Sequence, residues 1–370
     1  QIYIFGILIA LGAVGFTAIT EPPNENMNSE RETMKEVSDF YTSSYLKDQL
    51  TFVNHIWFFW ANGLRRYDSL KYKDVTKANL NRALPNDVLI YETHYSHRLA
   101  GNVPLKWFKE HKEWVMLSRF VAKNTGFQCI IFQKTDGSKK SILASHNKFI
   151  KNHPNNTSGF YQRGLHHHKN KKFNLASKDY SESLKDTSSF FLSSKYFNRG
   201  LSYFSSRKYN LAIKDFKTNF ALKNSMSDAL FNISSCFTNM KETDSAIFYL
   251  DKTIALRPKY QKAFINKGVL LRKQNKKEEA LKAFDQVVKI NPKNENALLQ
   301  RAQINFESRN WKPCVNDLNS VIKLKPNTSN NYFIRGLCHK ELKQIKLSCK
   351  DWSKAKLHGD KRAQQYLKFY

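Results

Sequence analysis

The feature that most constrains this chain is a spacing that recurs through its C-terminal half. In residues 197–216, FNRGLSYFSSRKYNLAIKDF, Gly200 is followed by a small residue (Ala212) twelve positions later and by a large apolar one (Phe216) sixteen positions later. The same offsets recur from six starting residues, which are Gly164, Gly200, Ser234, Gly268, Ala302 and Gly336. Successive starts are 36, 34, 34, 34 and 34 residues apart. Such a period predicts a repeat architecture that presents a surface, and not one isolated helical hairpin.

The residue types at these offsets suit pairs of closely packed helices. Small residues let the two helices of one repeat cross at short distance, and the large residue fills the space beside them. Pro258, Pro292 and Pro326 lie 24 residues after three of the starts, where proline ends the second helix. The two extra residues between the first two starts predict a longer connection there.

The pattern resembles the tetratricopeptide repeat, a helix–turn–helix unit of 34 residues. The resemblance covers residues 157–370 and implies an α-solenoid of about six helical hairpins. Residues 351–370 are expected to supply the second helix of the sixth repeat and a terminal capping helix. Leu357, Ala363 and Leu367 would lie on one face of that cap and close the open end of the stack.

The resemblance also implies a binding surface, because the first helix of each repeat lines an inner groove in this family. Eight apolar residues occupy groove positions: Phe197, Leu201, Phe204, Phe231, Ile265, Leu299, Phe333 and Leu337. They stand where the carboxylate-clamping variant of the family needs lysine and asparagine. We expect the groove to bind a protein or peptide with an apolar segment, or to be covered by the chain's own middle domain. The alternative is that some of these side chains are only buried between neighbouring helices.

The chain opens on an uncharged apolar run, QIYIFGILIALGAVGFTAIT, followed by the acidic segment EPPNENMNSERE. About eighteen apolar residues are long enough to cross the hydrocarbon core of a bilayer. Residues 1–20 are therefore predicted to form a transmembrane helix, as the end of a longer membrane region. A retained signal anchor and a buried soluble helix are the alternatives. The acidic flank favours an extracytoplasmic, bacterial periplasmic position for the remainder of the chain.

Residues 21–150 have the pattern of a small α/β domain. Apolar runs at residues 87–92, 114–120 and 127–133 predict buried strands, and Pro104 precedes a predicted helix at residues 105–111. An earlier apolar run at residues 51–60 completes a largely buried sheet.

Four segments of this domain carry a second resemblance. In chain order they are VNHIWFFWANG, NDVLIYETHYSHR, NVPLKWFKEHKEWVMLSRF and FQCIIFQK. They are similar to the soluble C-terminal part of bacterial multispanning membrane glycosyltransferases of the mannosyltransferase type. This resemblance implies a non-catalytic C-terminal part whose catalytic region lies upstream of residue 1. The alternative is a stand-alone membrane-anchored adaptor with no link to glycosyl transfer.

No catalytic constellation is found in the sequence, which has no nucleophile elbow, P-loop or dinucleotide fingerprint, and no cofactor is expected. Glu92, His94 and His97 follow a predicted strand and are candidate metal ligands. A third strong ligand with the usual zinc spacing does not accompany them, so a structural turn is the favoured interpretation.

The charge of the chain bears on its expected partners, and its cysteine content bears on disulfide bonding. The net charge of +30 comes mostly from lysines spread over amphipathic helices, without a basic stripe interleaved with aromatics, so nucleic acid is not expected as a partner. The five cysteines are too irregular for a disulfide framework. Cys314 occupies the small-residue position of its repeat and is assigned to packing, while Cys338 and Cys349 lie on opposite helices of the sixth repeat and could approach each other.

Overall fold

A computed structural model of the chain describes residues 25–53, 72–73, 75–93, 103–122, 127–187, 191–222 and 227–369. The chain divides into two compact units, Gln1–Asn198 and Arg199–Tyr370. The predicted transmembrane segment, residues 1–20, lies outside the described residues. Among the residues that are described, no helix has the length and apolar character needed to cross a membrane.

The first unit contains a five-stranded sheet. Its strands are β1 (Thr51–Val53), β2 (Tyr72–Lys73), β3 (Val88–Glu92), β4 (Trp114–Val121) and β5 (Gln128–Lys134). They lie in the order β2-β1-β3-β5-β4, with β1 parallel to β2 and β3, and with β5 antiparallel to β3 and β4. The three strands predicted from apolar runs are confirmed within one residue at each end.

Helices bury both faces of this sheet. The helices are α1 (Glu25–Thr42), α2 (Lys77–Arg82), α3 (Trp107–Glu110) and α4 (Lys139–Asn152), with a 3₁₀ turn at Tyr45–Asp48. Strand β3 shows the arrangement, because Val88 and Ile90 belong to one apolar cluster whereas Leu89 and Tyr91 belong to another. Successive side chains of a strand point to opposite faces, so both faces are core. The sheet accounts for the continuous apolar runs in the sequence.

Six helical hairpins follow within the described residues, one for each predicted repeat. Helices A and B are Thr157–Lys169 and Phe173–Ser183 in repeat 1, Leu192–Ser205 and Tyr209–Leu222 in repeat 2, Ser227–Asn239 and Thr243–Leu256 in repeat 3, Gln261–Lys273 and Lys277–Ile290 in repeat 4, Glu295–Glu307 and Trp311–Leu324 in repeat 5, and Ser329–Glu341 and Ile345–Leu357 in repeat 6. A terminal helix, Lys361–Tyr366, comes after them. Helix B ends two residues before the proline in repeats 3, 4 and 5, as predicted. The connection between repeats 1 and 2, which is predicted to be longer, includes residues 188–190, and these lie outside the described residues.

Repeat 1 belongs to the same compact unit as the sheet. The Asn156 side chain, at the start of helix A, donates to Ser118 Oγ of the edge strand β4 over 3.2 Å. The Arg119 guanidinium of β4 lies 5.0 Å from the centre of the Phe191 ring. The division between the two units after Asn198 falls inside helix A of repeat 2.

The 34-residue period is visible in the backbone of the turns. One residue between helices A and B of each repeat has a left-handed φ of 58° to 63°: Lys171, Arg207, Lys241, Asn275, Arg309 and Lys343. The following N–H then donates to a carbonyl five residues back, as from Glu242 to Phe237 over 2.9 Å. This pattern satisfies the carbonyls at the end of helix A.

The crossing of helices A and B explains the glycines. A Cβ built on any of the four glycine starts would lie 2.5 to 2.8 Å from the ring sixteen residues later. In repeat 5, where Ala302 carries a Cβ, the opposing residue is the smaller Leu318. The predicted role of these two positions is confirmed.

The terminal helix packs on repeat 6. Ala363 is buried, and Tyr366 and Leu367 pack against the apolar cluster that contains Trp352. The prediction for Leu357 was wrong: it ends helix B of repeat 6 with 74% of its surface exposed, because the turn at residues 358–360 separates it from the terminal helix.

Candidate protein-binding surface

The eight predicted groove residues lie on helix A of repeats 2 to 6. Seven of them are half-buried, and Phe333 is buried. Phe231, Ile265 and Leu299 occupy the same position in repeats 3, 4 and 5; we call these three residues the helix-A stripe. All three are apolar and only partly covered, so each keeps some surface for contact with another molecule.

The helix-A stripe is held from behind by apolar clusters. The Phe231 ring centre lies 5.2 Å from that of Tyr260, and Ile247 packs against the clusters of both Phe231 and Ile265. Leu299 packs on the cluster that contains Leu318. Because these side chains are fixed by packing, contact with a partner would cost little further side-chain entropy.

The remaining predicted groove residues are covered to different degrees. Phe333 is 5% exposed, because the Tyr366 ring lies 5.4 Å from it and the Arg362 guanidinium 4.2 Å from it. Leu337 packs in the same cluster. Phe204 lies 5.7 Å from the Tyr209 ring. Leu201 is half-buried, and Phe197 is half-buried in the first unit. The terminal helix therefore ends the accessible stripe before repeat 6.

A set of arginine–aspartate pairs was missed from the sequence. In repeats 1, 2, 5 and 6, the arginine before the start residue donates through Nε and Nη2 to an aspartate sixteen residues later on helix B: Arg163–Asp179, Arg199–Asp215, Arg301–Asp317 and Arg335–Asp351. The four aspartate side chains are buried. Two parallel charge-assisted hydrogen bonds compensate such burial. The side-chain hydrogen bond to Asp317 raises the pKa of Arg301 above its usual range.

The same arginines connect neighbouring repeats. Arg301 also donates to Asp285 of repeat 4 over 2.7 Å, and Arg335 donates to Asn319 of repeat 5 over 2.7 Å. Both acceptors lie sixteen residues before the arginine. The sequence signal that could have revealed these arginine–aspartate pairs is an arginine directly before the start residue, together with an aspartate directly before the large apolar residue sixteen positions after that start.

Repeats 3 and 4 depart from this pattern. Repeat 3 has Ile233 and Tyr249 at the two positions, and repeat 4 has Lys267 and Ala283. Lys267 forms an ion pair with Asp251, which lies on helix B of the preceding repeat, over 2.5 Å. Lys267 and Ala283 both line a pocket of about 270 Å³.

A histidine cluster lies where α4 meets repeat 1. His146 is 4% exposed, and its Nδ1 has no hydrogen-bond partner among the described residues. Its ring centre lies 6.0 Å from that of His166. Burial, together with the nearby His166, Arg163 and His167, lowers the pKa of His146 to about 3. His146 is therefore a neutral core residue.

The candidate metal ligands are not assembled within the described residues. Glu92 is buried at the end of β3, opposite Cys129 of β5. His94 and His97 lie outside the described residues. No group of three metal-ligating side chains is found in the part of the chain that the structure describes.

Comparison with known proteins identifies the hairpins. Residues 227–260 and 262–294 match the tetratricopeptide repeat. The C-terminal half of the chain therefore contains tetratricopeptide repeats, a class that generally mediates protein–protein interaction. A search of curated proteins found no match to the chain.

Three solved structures illustrate the likeness. The C-terminal part of a TPR repeat-containing protein from Cytophaga hutchinsonii is 18% identical with a TM-score of 0.55, over 61% of this chain and 93% of that one. A tetratricopeptide repeat protein from Parabacteroides merdae is 18% identical with a TM-score of 0.43, over 63% and 92%. YrrB, described as a TPR protein with an unusual peptide-binding site, is 17% identical with a TM-score of 0.40, over 50% and 94%. The first likeness shows a tetratricopeptide-type helical solenoid.

Proposed function

We propose that the second unit binds an apolar segment of another protein on the helix-A stripe. The observation that carries this proposal is the repetition of a half-buried apolar residue at one position of three consecutive repeats. Phe231, Ile265 and Leu299 are 34 residues apart in sequence and are supported by packed clusters. Regularly spaced apolar anchors of this kind suit an amphipathic helix or an extended peptide.

The charge of the chain specifies the partner further. The chain carries a net charge of +30, so acidic residues flanking the apolar segment would be attracted to it. The expected partner is a segment with apolar residues at its centre and aspartate or glutamate beside them. Its affinity should fall moderately as salt is added, because the apolar contacts persist when the charges are screened.

The test uses peptides selected from a random display library on immobilised residues 21–370. Ile265→Lys and Leu299→Lys are each expected to weaken the binding of a selected apolar peptide by about tenfold or more. The reason is that the bound peptide would cover the ammonium group with apolar surface. The lysine stem can keep packing while its charge reaches solvent, so folding is preserved. Thermal unfolding of each variant verifies this.

Phe248→Lys is the matched control, because Phe248 is an apolar residue with 53% of its surface exposed on helix B of repeat 3. It should leave peptide binding unchanged. If Phe248→Lys abolishes binding while the two stripe variants bind like the parent, the binding surface lies on the B helices and the proposal is wrong.

We also propose that residues 1–20 anchor the chain in a membrane with the remainder on the extracytoplasmic side. The support is the uncharged run of the sequence, long enough to cross a bilayer. The full chain should stay with vesicles through an alkaline wash, whereas residues 21–370 should be released. Release of both forms would contradict the anchor.

The link to membrane glycosyltransferases stays a prediction based on the segment motifs of residues 21–150.

A further inference from the structure

Two cysteines on adjacent repeats face each other in the core of the second unit. Cys314 lies on helix B of repeat 5 and Cys338 on helix A of repeat 6, and their Sγ atoms are 3.0 Å apart. Both residues are completely buried. We propose that Cys314 and Cys338 form a disulfide that ties repeat 5 to repeat 6.

Comparison with the other repeats shows what these positions require. The same pair of positions, 24 residues apart, holds Ala280 and Ile304 one repeat earlier, and Ala246 and Leu270 two repeats earlier. Each of these pairs shares one apolar cluster, as Cys314 and Cys338 do. Apolar residues alone therefore satisfy the packing at this crossing, and two cysteines are not needed for it.

The two thiols need only a small adjustment to bond. A disulfide has an S–S length of about 2.05 Å, so the sulfur atoms must approach by roughly 1 Å, which rotation of the two side chains can provide. Cys338 faces Cys314 across the repeat boundary, whereas the sequence had suggested an approach to Cys349 within repeat 6. Cys349 is half-buried and has no Sγ contact with Cys338 among the described residues.

The bond can form by thiol–disulfide exchange with a small-molecule or protein disulfide. The thiolate of one cysteine attacks the oxidant disulfide, which gives a mixed disulfide and releases one thiolate of the oxidant. The thiolate of the second cysteine then attacks the mixed disulfide and releases the other. Two protein thiols lose their protons and two electrons in total, and the oxidant is reduced to two thiols.

The burial of the pair determines when this exchange occurs. The hydrogen bond from Cys338 and burial raise the pKa of the Cys314 thiol, so little thiolate forms in the folded protein. Exchange should therefore be slow on the native protein and fast while the last repeats are open. Once formed, the bond would restrain the opening of repeat 6, because this last repeat packs against another repeat on one side only and has the short terminal helix on its other side.

The first measurement refolds the full chain in a glutathione redox buffer, blocks the free thiols by alkylation and maps peptides by mass spectrometry. The expected product has Cys314 linked to Cys338 and the other three of the five cysteines alkylated. Five alkylated cysteines, or a bridge between any other two, would overturn the proposal.

The matched control is the double variant C314A/C338I, which reproduces the Ala280/Ile304 pair of the neighbouring repeats. Its amide hydrogen exchange in repeats 5 and 6 should be the same in oxidising and reducing buffer. In the parent, the amides of repeat 6 should exchange about tenfold more slowly, or slower still, after oxidation, since the bond restrains local opening. Equal exchange in both buffers for the parent would refute the link between the two repeats.

Discussion

Replacing Gly268 by alanine tests the close crossing of helices A and B. The added Cβ would lie 2.7 Å from Phe284 Cζ and 2.9 Å from Cε1 and Cε2, so the buried ring must withdraw by about 0.7 Å to reach the 3.4 Å of ordinary contact. Overpacking of this kind costs about 1–3 kcal/mol. Alanine also stabilises the helix by about 1 kcal/mol relative to glycine, because of its higher helix propensity. The expected net loss is about 1 kcal/mol in the free energy of unfolding, measured by urea titration.

The second substitution of this cycle comes from the chain itself. Repeat 5 combines Ala302 with Leu318 at the two positions, so Phe284→Leu should make room for the methyl group introduced by Gly268→Ala. The double variant G268A/F284L should therefore be more stable than the sum of the single changes predicts, by about 1–2 kcal/mol. Additive changes, or a Gly268→Ala variant that gains the full helix-propensity term, would refute the packing argument.

Three other substitutions test the pairing, the turns and the pH dependence. Arg301→Met leaves the buried Asp317 without its bidentate partner and should lower the free energy of unfolding, measured in urea, by about 3 kcal/mol. The double variant R301K/D317A reproduces the pair of repeat 4 and should lower it by less than about 1 kcal/mol. Equal losses of stability in the two variants would contradict the role of the pair. Arg309→Gly relieves a φ of 58° and should stabilise the protein, by roughly 0.5–1 kcal/mol; a lower thermal midpoint would show the opposite. His146 has a pKa of about 3 in the folded protein, below its usual value of 6.5. The neutral side chain therefore makes its full contribution to the free energy of unfolding above pH 6.5, and this contribution is lost as the pH falls toward 3. The loss should reach about 2–3 kcal/mol near pH 4.5, and His146→Gln should remove it; an unchanged pH profile in that variant would contradict the burial argument.

The repeats could be predicted from the sequence because their physics is local. The small residue, the large apolar residue and the proline act within one hairpin, so their spacing shows directly which side chains meet. The strands at residues 88–92, 114–121 and 128–134 were predictable for a similar reason, since a strand buried on both faces needs an uninterrupted apolar run.

Features that depend on contacts between distant segments were not predictable in the same way. The two-residue strand β2 has almost no sequence signal of its own and exists because it pairs with β1. Repeat 1 joins the sheet unit through the contact of Asn156 with Ser118, which composition does not reveal.

The candidate site shows the same division. The positions of Phe231, Ile265 and Leu299 on helix A followed from the repeat pattern. The covering of Phe333 did not, because it depends on the terminal helix folding back with Tyr366 and Arg362 over that ring. The contact between Cys314 and Cys338 likewise required the stacking of two repeats.

Site-specific photocrosslinking from the helix-A stripe tests whether the partner binds there. A photoreactive phenylalanine analogue replaces Ile265 in one sample and the exposed Phe248 in another, and each full chain is irradiated with a peptide selected by the parent. A covalent adduct is expected from position 265 and none from position 248. An adduct from position 248 alone would contradict binding on the helix-A stripe and would place the partner on the B helices.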